Sequence, residues 1–431
     1  RDVTPVALAR DPAANRAAKL AYVARHPLNS AGAVVEHLSR NRRTEGTLEQ
    51  LAAVCDEDPG LVHFQTVGVE HHLALIASAY YLSPFEGLTA GFSYDASGDF
   101  ASLMAARCEG TRIEVLDRVT LPHSLGFFYT ALCQFIGFDE FGGEYKVMGL
   151  APYGEDRHSD LMRELVRLDD RHWYRLAAGY FGMHEGGESG AVDATQHIVM
   201  GRFYTDRLSA ALGAPRKRAE PLTQREMDIA RSTQVRFEAA ALHCLTRLYG
   251  LVPTSRLAMA GGCALNGVAN ARIQRETPFQ EHYLQAAASD DGTCLGAAYY
   301  CWHQILGRSE RFQMEHDFWV PGYTEEHLRR VAEGSGFRVQ ACADEAELVA
   351  VAADLIAAGR VTGWYQGRGE WGPRALGHRS ILANPAIPTM KETLNTKIKR
   401  RELGQRGPQP PSAHRTVRTG PYTAPHVRRI H

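Results

Sequence analysis

Three short apolar runs each end in a glycine or aspartate turn, two of them leading into a helical pattern, and this recurrence constrains the fold most. Gly91-Phe92-Ser93-Tyr94 alternates as a strand does and delivers Asp95 at its end, with Ser97-Gly98-Asp99 behind it. Leu257 to Ala260 runs into Gly261-Gly262, with a helix expected from Asn266 to Ile273. Tyr283 to Ala288 runs into Ser289-Asp290-Asp291-Gly292, followed by a helix from Leu295 to Ile305. Strand, turn and helix in alternation specify an α/β fold rather than a helical bundle.

Other elements fill in around these. Phe64 to Val69 reads as a strand and His71 to Tyr80 as a helix, which Ser83-Pro84-Phe85 ends because the residue before proline disfavours helix. Strands are expected at 102–106 and 113–119, and helices at 125–138 and 228–249. Residues 32–55 carry a helical pattern with Val34, Val35 and Leu38 on one face. Gly142 to Lys146 reads as a loop, and 155–225 is the least periodic stretch, the place for an insertion or lid. Phe318-Trp319-Val320-Pro321-Gly322 reads as a domain boundary, followed by a helix at 345–358 and a strand at 361–364. From Gly404 to His431 the chain is rich in Pro, Arg, Thr and His, and reads as disorder, a tag-like extension or a frame-shifted tail.

Bulk properties exclude some functions. A length of 431 residues with 44% hydrophobic content supports two or three cores. A formal net charge of -1 gives no general pull toward nucleic acid or an anionic membrane. No apolar run approaches the eighteen residues or so that a membrane helix requires. The eight cysteines are scattered without CxxC spacing, as expected of thiols in a reducing cytoplasm.

Candidate chemistry lies at the turns. Asp95 and Asp290 each follow a strand, where open α/β sheets place ligand-binding groups, and carboxylates there can hold a metal. Each also reads as an ordinary turn residue. His71 shares a helix face with position 75, which is Leu, so that face offers one imidazole; His72 points about 100° away. Gly261-Gly262 can bring backbone N–H groups to a phosphate or ribose, or can simply form a tight turn. Gly367 to Arg379 packs Arg368, Glu370, Arg374, His378 and Arg379 among four glycines and a proline. Guanidinium groups at that density suit phosphate and carboxylate oxygens, with a solvated charged loop as the alternative. Lys391, Lys397, Lys399, Arg400 and Arg401 would extend the basic surface.

Seven segments taken in order resemble the O-carbamoyltransferase family, whose members act on nodulation factors, aminoglycosides, aminocoumarins, ansamycins and cephems. They are HHLALIASAYYLSPF (71–85), SYDASGDF (93–100), SLGFFYTAL (124–132), YKVMGLAPYG (145–154), AGGCALNGVANARI (260–273), SDDGTCLGAA (289–298) and GWYQGRGEWGPRALGHRSILANP (363–385). The resemblance implies an actin-like ATPase-type (ribonuclease H-like) larger domain over 1–317, with 155–225 facing the acceptor. A partial α/β domain like threonylcarbamoyl-adenylate synthases would follow over 318–403. The smaller domain would make carbamoyl adenylate from carbamoyl phosphate and ATP. The larger would pass the carbamoyl group to a hydroxylated small molecule beside a divalent metal, iron or another. A hydroxymethyl cephem of a cephamycin pathway is the expected acceptor, with Tyr180 and Phe181 as ring contacts if they do not simply pack.

The resemblance also assigns roles residue by residue. His71, Asp95 and Asp290 match metal ligands at the transfer site; Gly261, Gly262 and Asn266 match the nucleotide-binding turn. Lys146 matches a family loop residue on the cofactor side, and Arg368 and Arg374 match the anion-binding loop of the activating domain. The chain departs from the family at Leu75, where a second metal-binding histidine is usual. It also departs in lacking the opening Gly-His-Asp turn and in the residues after Glu402. Competing readings are carbamoylation of another natural-product hydroxyl, a tRNA threonylcarbamoyl-transfer protein, a sugar or acetate kinase, and an inactive remnant.

Overall fold

The computed structural model describes residues 5–25, 65–140, 142–182, 191–192, 198–199 and 201–394. The expected helix within 32–55, Lys397, Lys399, Arg400, Arg401 and the 404–431 tail lie outside the described residues. The chain divides into two compact units, Arg1–Gln313 and Met314–Arg406. The break therefore precedes Phe318-Gly322. That segment belongs to the second unit because its aromatics pack there: His316 stacks on Trp319 at 4.9 Å, and Phe318 on His378 at 3.5 Å.

The larger unit is built on a five-stranded mixed sheet. Strand β1 (Val6–Leu8) pairs in parallel with β2 (Thr66–Gly68), apart from the main sheet. Helix α1 (Arg16–Arg25) lies between them in sequence, and α2 (His71–Tyr80) follows β2. Then β3 (Thr89–Gly98), β4 (Ala101–Glu109) and β5 (Arg112–Thr120) form an antiparallel meander. Strands β10 (Arg256–Ala260) and β11 (Glu281–Leu284) add in parallel beside β3, giving the order β11-β10-β3-β4-β5.

Alternating side chains serve the two faces of this sheet, as a period of two requires. Phe92, Tyr94, Leu103, Ala105, Leu257 and Met259 enter one core, with α3 (Leu125–Phe135) and the 28-residue α7 (Gln224–Leu251). Met104, Ala106, Cys108, Ala258 and Ala260 enter the other, under Leu75, Ile76 and Ala79 of α2. Both faces are covered, so the unit is a layered α/β domain. Among the described residues no helix is long and apolar enough to cross a membrane. The described cysteines 108, 133, 244, 263, 294, 301 and 342 carry free thiols.

Several expectations are corrected. Helix α7 begins at Gln224, earlier than expected, because Thr223 and Glu226 form a capping box, Thr223 N donating to Glu226 Oε2 at 2.9 Å. Tyr145 and Lys146, expected in a loop, open helix α4 (Tyr145–Leu150), since Val147 to Leu150 bury an apolar run in the core. Within 155–225 the chain forms α5 (Ser159–Leu165), the hairpin β6 (Val166–Asp169) and β7 (Trp173–Leu176), the short pair β8 (Ala191–Val192) and β9 (Ile198–Val199), and α6 (Asp206–Leu212). Trp173, Tyr174, Phe181 and Phe203 are buried, so the described part of this stretch contributes side chains to the core. Tyr180 and Phe181 pack: the Tyr180 hydroxyl donates to Glu164 and its ring lies under Arg207.

Helix α8 (Gly267–Glu276) follows β10, and α9 (Asp290–Tyr300) follows β11. The latter starts at Asp290 rather than Leu295, and its last turn widens to a π-helix at Cys301–Ile305. In the second unit, α10 (Glu325–Gly334) and α11 (Glu345–Ala357) precede the antiparallel pair β12 (Thr362–Tyr365) and β13 (Arg379–Leu382), with α12 (Met390–Thr393) last.

Helices α2 and α9 meet backbone to backbone. A Cβ at Gly296 would lie 1.7 Å from the Ala74 carbonyl oxygen, so only glycine permits this approach. Gly296→Val should destabilise the fold by about 1–3 kcal/mol, read as a lower urea midpoint. An unchanged midpoint would mean that the two helices are free to separate.

Candidate functional site

The site forms where β3 breaks register. Strand pairing shifts between Tyr94 and Gly98, and Asp95 sits inside this irregularity rather than beyond the strand end. Bulges re-aim side chains. Here the break presents the Asp95 carboxylate to Gly262 N at 2.7 Å through Oδ2 and to Ala96 N at 2.7 Å through Oδ1. Burial raises the Asp95 carboxyl above its ordinary value, against the pull of the Gly262 N–H, His71 and the Ala96 N–H.

The glycine turn expected to cradle a nucleotide is thus shaped to hold Asp95. Gly261 has φ +103°, and a Cβ there would strike the Tyr94 carbonyl oxygen at 2.1 Å. Asn266 is buried and serves as the N-cap of α8, its Oδ1 accepting from Ala269 N at 3.0 Å while its amide pairs with Gln234. Its polar atoms are engaged inside the protein.

His71 and Asp290 complete the cluster from two helix starts. Asp99 accepts from His71 N at 2.9 Å and so holds the first turn of α2. Asp290 opens α9, where the helix dipole favours a carboxylate, as it does the neighbouring Asp291. His71 Nε2 stands 3.6 Å from Asp290 Oδ1, is buried and has no hydrogen-bond partner. One ligand atom each from His71, Asp95 and Asp290 lie within 4.8 Å of one another. An imidazole nitrogen and two carboxylate oxygens at that spacing fit a divalent cation with open positions left for substrate. Leu75 is fully buried in the apolar cluster beneath α2 and offers nothing to it. His72 points away from the cluster, as expected, and meets the sheet: its Nε2–H donates to Ala101 O at 3.1 Å and its Nδ1 accepts from Ser93 Oγ at 2.9 Å. Burial keeps its pKa well below the usual imidazole value, so it is neutral and structural.

A small open cavity adjoins Ala96. Phe127, Phe138 and Phe203 wall it, and Asp139, Glu140 and Glu144 line it. Lys146 is buried on α4, paired with Glu140 and 5.4 Å from the Phe138 ring centre.

In the second unit the charged loop is organised by Glu370. Its Oε1 accepts from Leu376 N, His378 N and Arg379 N at 2.8–3.0 Å. Arg368 donates to Trp319 O at 2.8 Å and Val320 O at 3.2 Å, so it ties down the incoming chain. Arg379 covers the Tyr365 ring at 3.4 Å. Arg374 is partly buried, which lowers its pKa. Sequence reading missed the roles of Glu370, Gln234 and Asp99; Glu370 alone had a local signal, an acid ringed by glycines.

Burial raises the Glu370 pKa, but the backbone N–H groups outweigh it and hold it at about 2. With the folded value depressed, the carboxylate's contribution is complete above the ordinary 4.5 and is lost as pH falls through about 2. Trp371 fluorescence should report loop loosening across that window. Glu370→Gln should flatten the transition; an identical acid profile would remove Glu370 as the organiser.

The Carbamoyltransferase N-terminus profile matches residues 10–299, and the Carbamoyltransferase C-terminus profile matches 353–413. An uncharacterized protein of Synechocystis is 39% identical over 77% of this chain and 53% of its own length. Nodulation protein NolNO of Sinorhizobium fredii is 34% identical over 80% of this chain and 46% of its own. The 3'-hydroxymethylcephem-O-carbamoyltransferase of Streptomyces clavuligerus is 32% identical over 34% of this chain and 26% of its own. The chain spans about half the length of the curated relatives it matches.

Proposed function

The chain belongs to the carbamoyltransferase family, and from that premise we propose that its larger unit transfers a carbamoyl group to a hydroxyl of a small molecule. The observation that carries this reading is the convergence of His71, Asp95 and Asp290 beside a small cavity walled by aromatic rings. The proposed donor is carbamoyl adenylate, made from carbamoyl phosphate and ATP with release of phosphate and pyrophosphate. The actin-like character of the larger unit belongs to the same proposal, supported by an antiparallel meander extended by two parallel strands.

His71, Asp95 and Asp290 would hold a divalent cation, iron or another, which when bound supplies Lewis acidity toward the carbonyl and phosphate oxygens. The small cavity at Ala96, walled by Phe127, Phe138 and Phe203, lies beside this cluster and is mainly apolar. In the transfer, the acceptor oxygen bonds to the carbamoyl carbon and the bond from that carbon to the phosphate oxygen breaks. AMP leaves, and the hydroxyl proton passes to solvent on the open side of the site, where Asp290 is 78% exposed. Asp95 does not take that proton, because both its oxygens already accept backbone N–H groups.

The acceptor is proposed as a hydroxylated small molecule without finer assignment. The cephem enzyme matches a third of this chain whereas the nodulation protein matches four fifths, so the relatives give a hydroxymethyl cephem no preference.

Incubation with ATP, carbamoyl phosphate and a panel of hydroxylated sugars and antibiotics should give a carbamoylated product and AMP by mass spectrometry. Asp95→Asn and His71→Ala should each lower the rate by about 100-fold or more. ADP in place of AMP would replace this reading with a kinase, and full activity in Asp95→Asn would remove the cluster from the chemistry.

A further inference from the structure

Gln234 sits in the middle of α7, is 1% exposed and lies among aromatic rings. Phe237, one turn on, stacks on Tyr94 at 6.0 Å and meets Tyr129 edge-on at 5.2 Å. A primary amide in such surroundings is costly unless all its hydrogen-bonding capacity is met. Here it is met. Gln234 Oε1 accepts from the Tyr129 hydroxyl at 2.6 Å and from Asn266 Nδ2 at 3.0 Å. Its Nε2 donates to Glu238 Oε1 at 2.7 Å and to Asn266 Oδ1 at 3.1 Å. The hydroxyl donor and the carboxylate acceptor fix which end of the amide is which. Glu238 is held in turn by Arg272 of α8 at 2.9 Å.

We propose that Gln234 is a positioning residue for the carboxylate cluster: paired with Asn266, it fixes the glycine turn whose Gly262 N–H orients Asp95. The inference rests on the reading of His71, Asp95 and Asp290 as metal ligands.

The lever is short. Gly262–Leu265 is one 3-10 turn, and Asn266 N closes it on Cys263 O at 3.1 Å. Asn270 Nδ2 braces the same turn through Ala264 O at 2.7 Å. At its other end Gly261 N donates to Ala288 O at 2.6 Å, in the segment that leads to Asp290. The amide pair therefore anchors one end of a turn that touches two of the three ligand-bearing segments. Apolar packing would hold α7 and α8 together as well. It would not fix the rotation of the turn, which two reciprocal hydrogen bonds do.

The test uses Mn²⁺ affinity of the full chain, read by electron paramagnetic resonance, with Asp95→Asn as the reference for loss of the site. Gln234→Met keeps the volume but removes the partner of the Tyr129 hydroxyl and of Asn266 Nδ2, leaving Asn266 Oδ1 to Ala269 N alone. It should weaken Mn²⁺ binding about tenfold, equivalent to about 1.4 kcal/mol, and speed hydrogen exchange at Gly262 in metal-free protein. Tyr129→Phe, a milder change to the same amide, should give two- to threefold. Thr233→Val removes a neighbouring buried bond of α7, Thr233 Oγ1 to Ile229 O at 2.8 Å, and should lower the melting temperature without moving the affinity. Wild-type Mn²⁺ affinity in a folded Gln234→Met protein, or equal weakening in Thr233→Val, overturns the inference. If wild type binds no more Mn²⁺ than Asp95→Asn does, the metal reading fails first, and unchanged exchange at Gly262 would then refute the positioning role separately.

Discussion

The site in the larger unit depends on one partly buried carboxylate. Asp95 lies within a sheet strand, where its charge is less well solvated than in water and leaving it unpaired carries a cost. The register break, the left-handed Gly261 and the N–H groups of Gly262 and Ala96 together offset that cost. The rest of the site follows from the same arrangement. The turn that contacts Asp95 is held to the segment leading to Asp290, and the strand that carries Asp95 lies beneath the helix that carries His71.

What was legible in the sequence was what short-range chemistry writes. Alternation in β3, the apolar run of β10, the proline after α2 and the acidic turn at the start of α9 gave the elements, while the family resemblance singled out His71, Asp95 and Asp290. The structure then brought His71, Asp95 and Asp290 together, as the family resemblance implied. Less legible were residues whose roles depend on distant partners. Lys146 read as a loop residue because glycines precede it, yet the apolar run behind it draws the segment into a helix and buries the ammonium against Glu140. Gln234 reads as a surface polar group of an amphipathic helix, and nothing within several residues discloses that Tyr129 and Asn266 meet it.

The second unit shows a different limit. A dense run of Arg, Glu and His suggested a surface offered to anions, and in part it is a surface turned inward. Glu370 gathers three N–H groups, Arg368 fastens the incoming chain, and His378 lies flat on Phe318. Charge density in a sequence marks where strong interactions occur, without saying whether they bind a ligand or the chain itself.

The contact between Gly296 and Ala74 makes the spacing of His71 and Asp290 a property of two main chains rather than of the side chains around them. Side chains change rotamer on warming and are readily exchanged in redesign, whereas two helix backbones in contact behave as a fixed ruler. The apolar faces of α2 and α9 can therefore be repacked without resetting the distance between His71 and Asp290, so long as that one glycine is left in place.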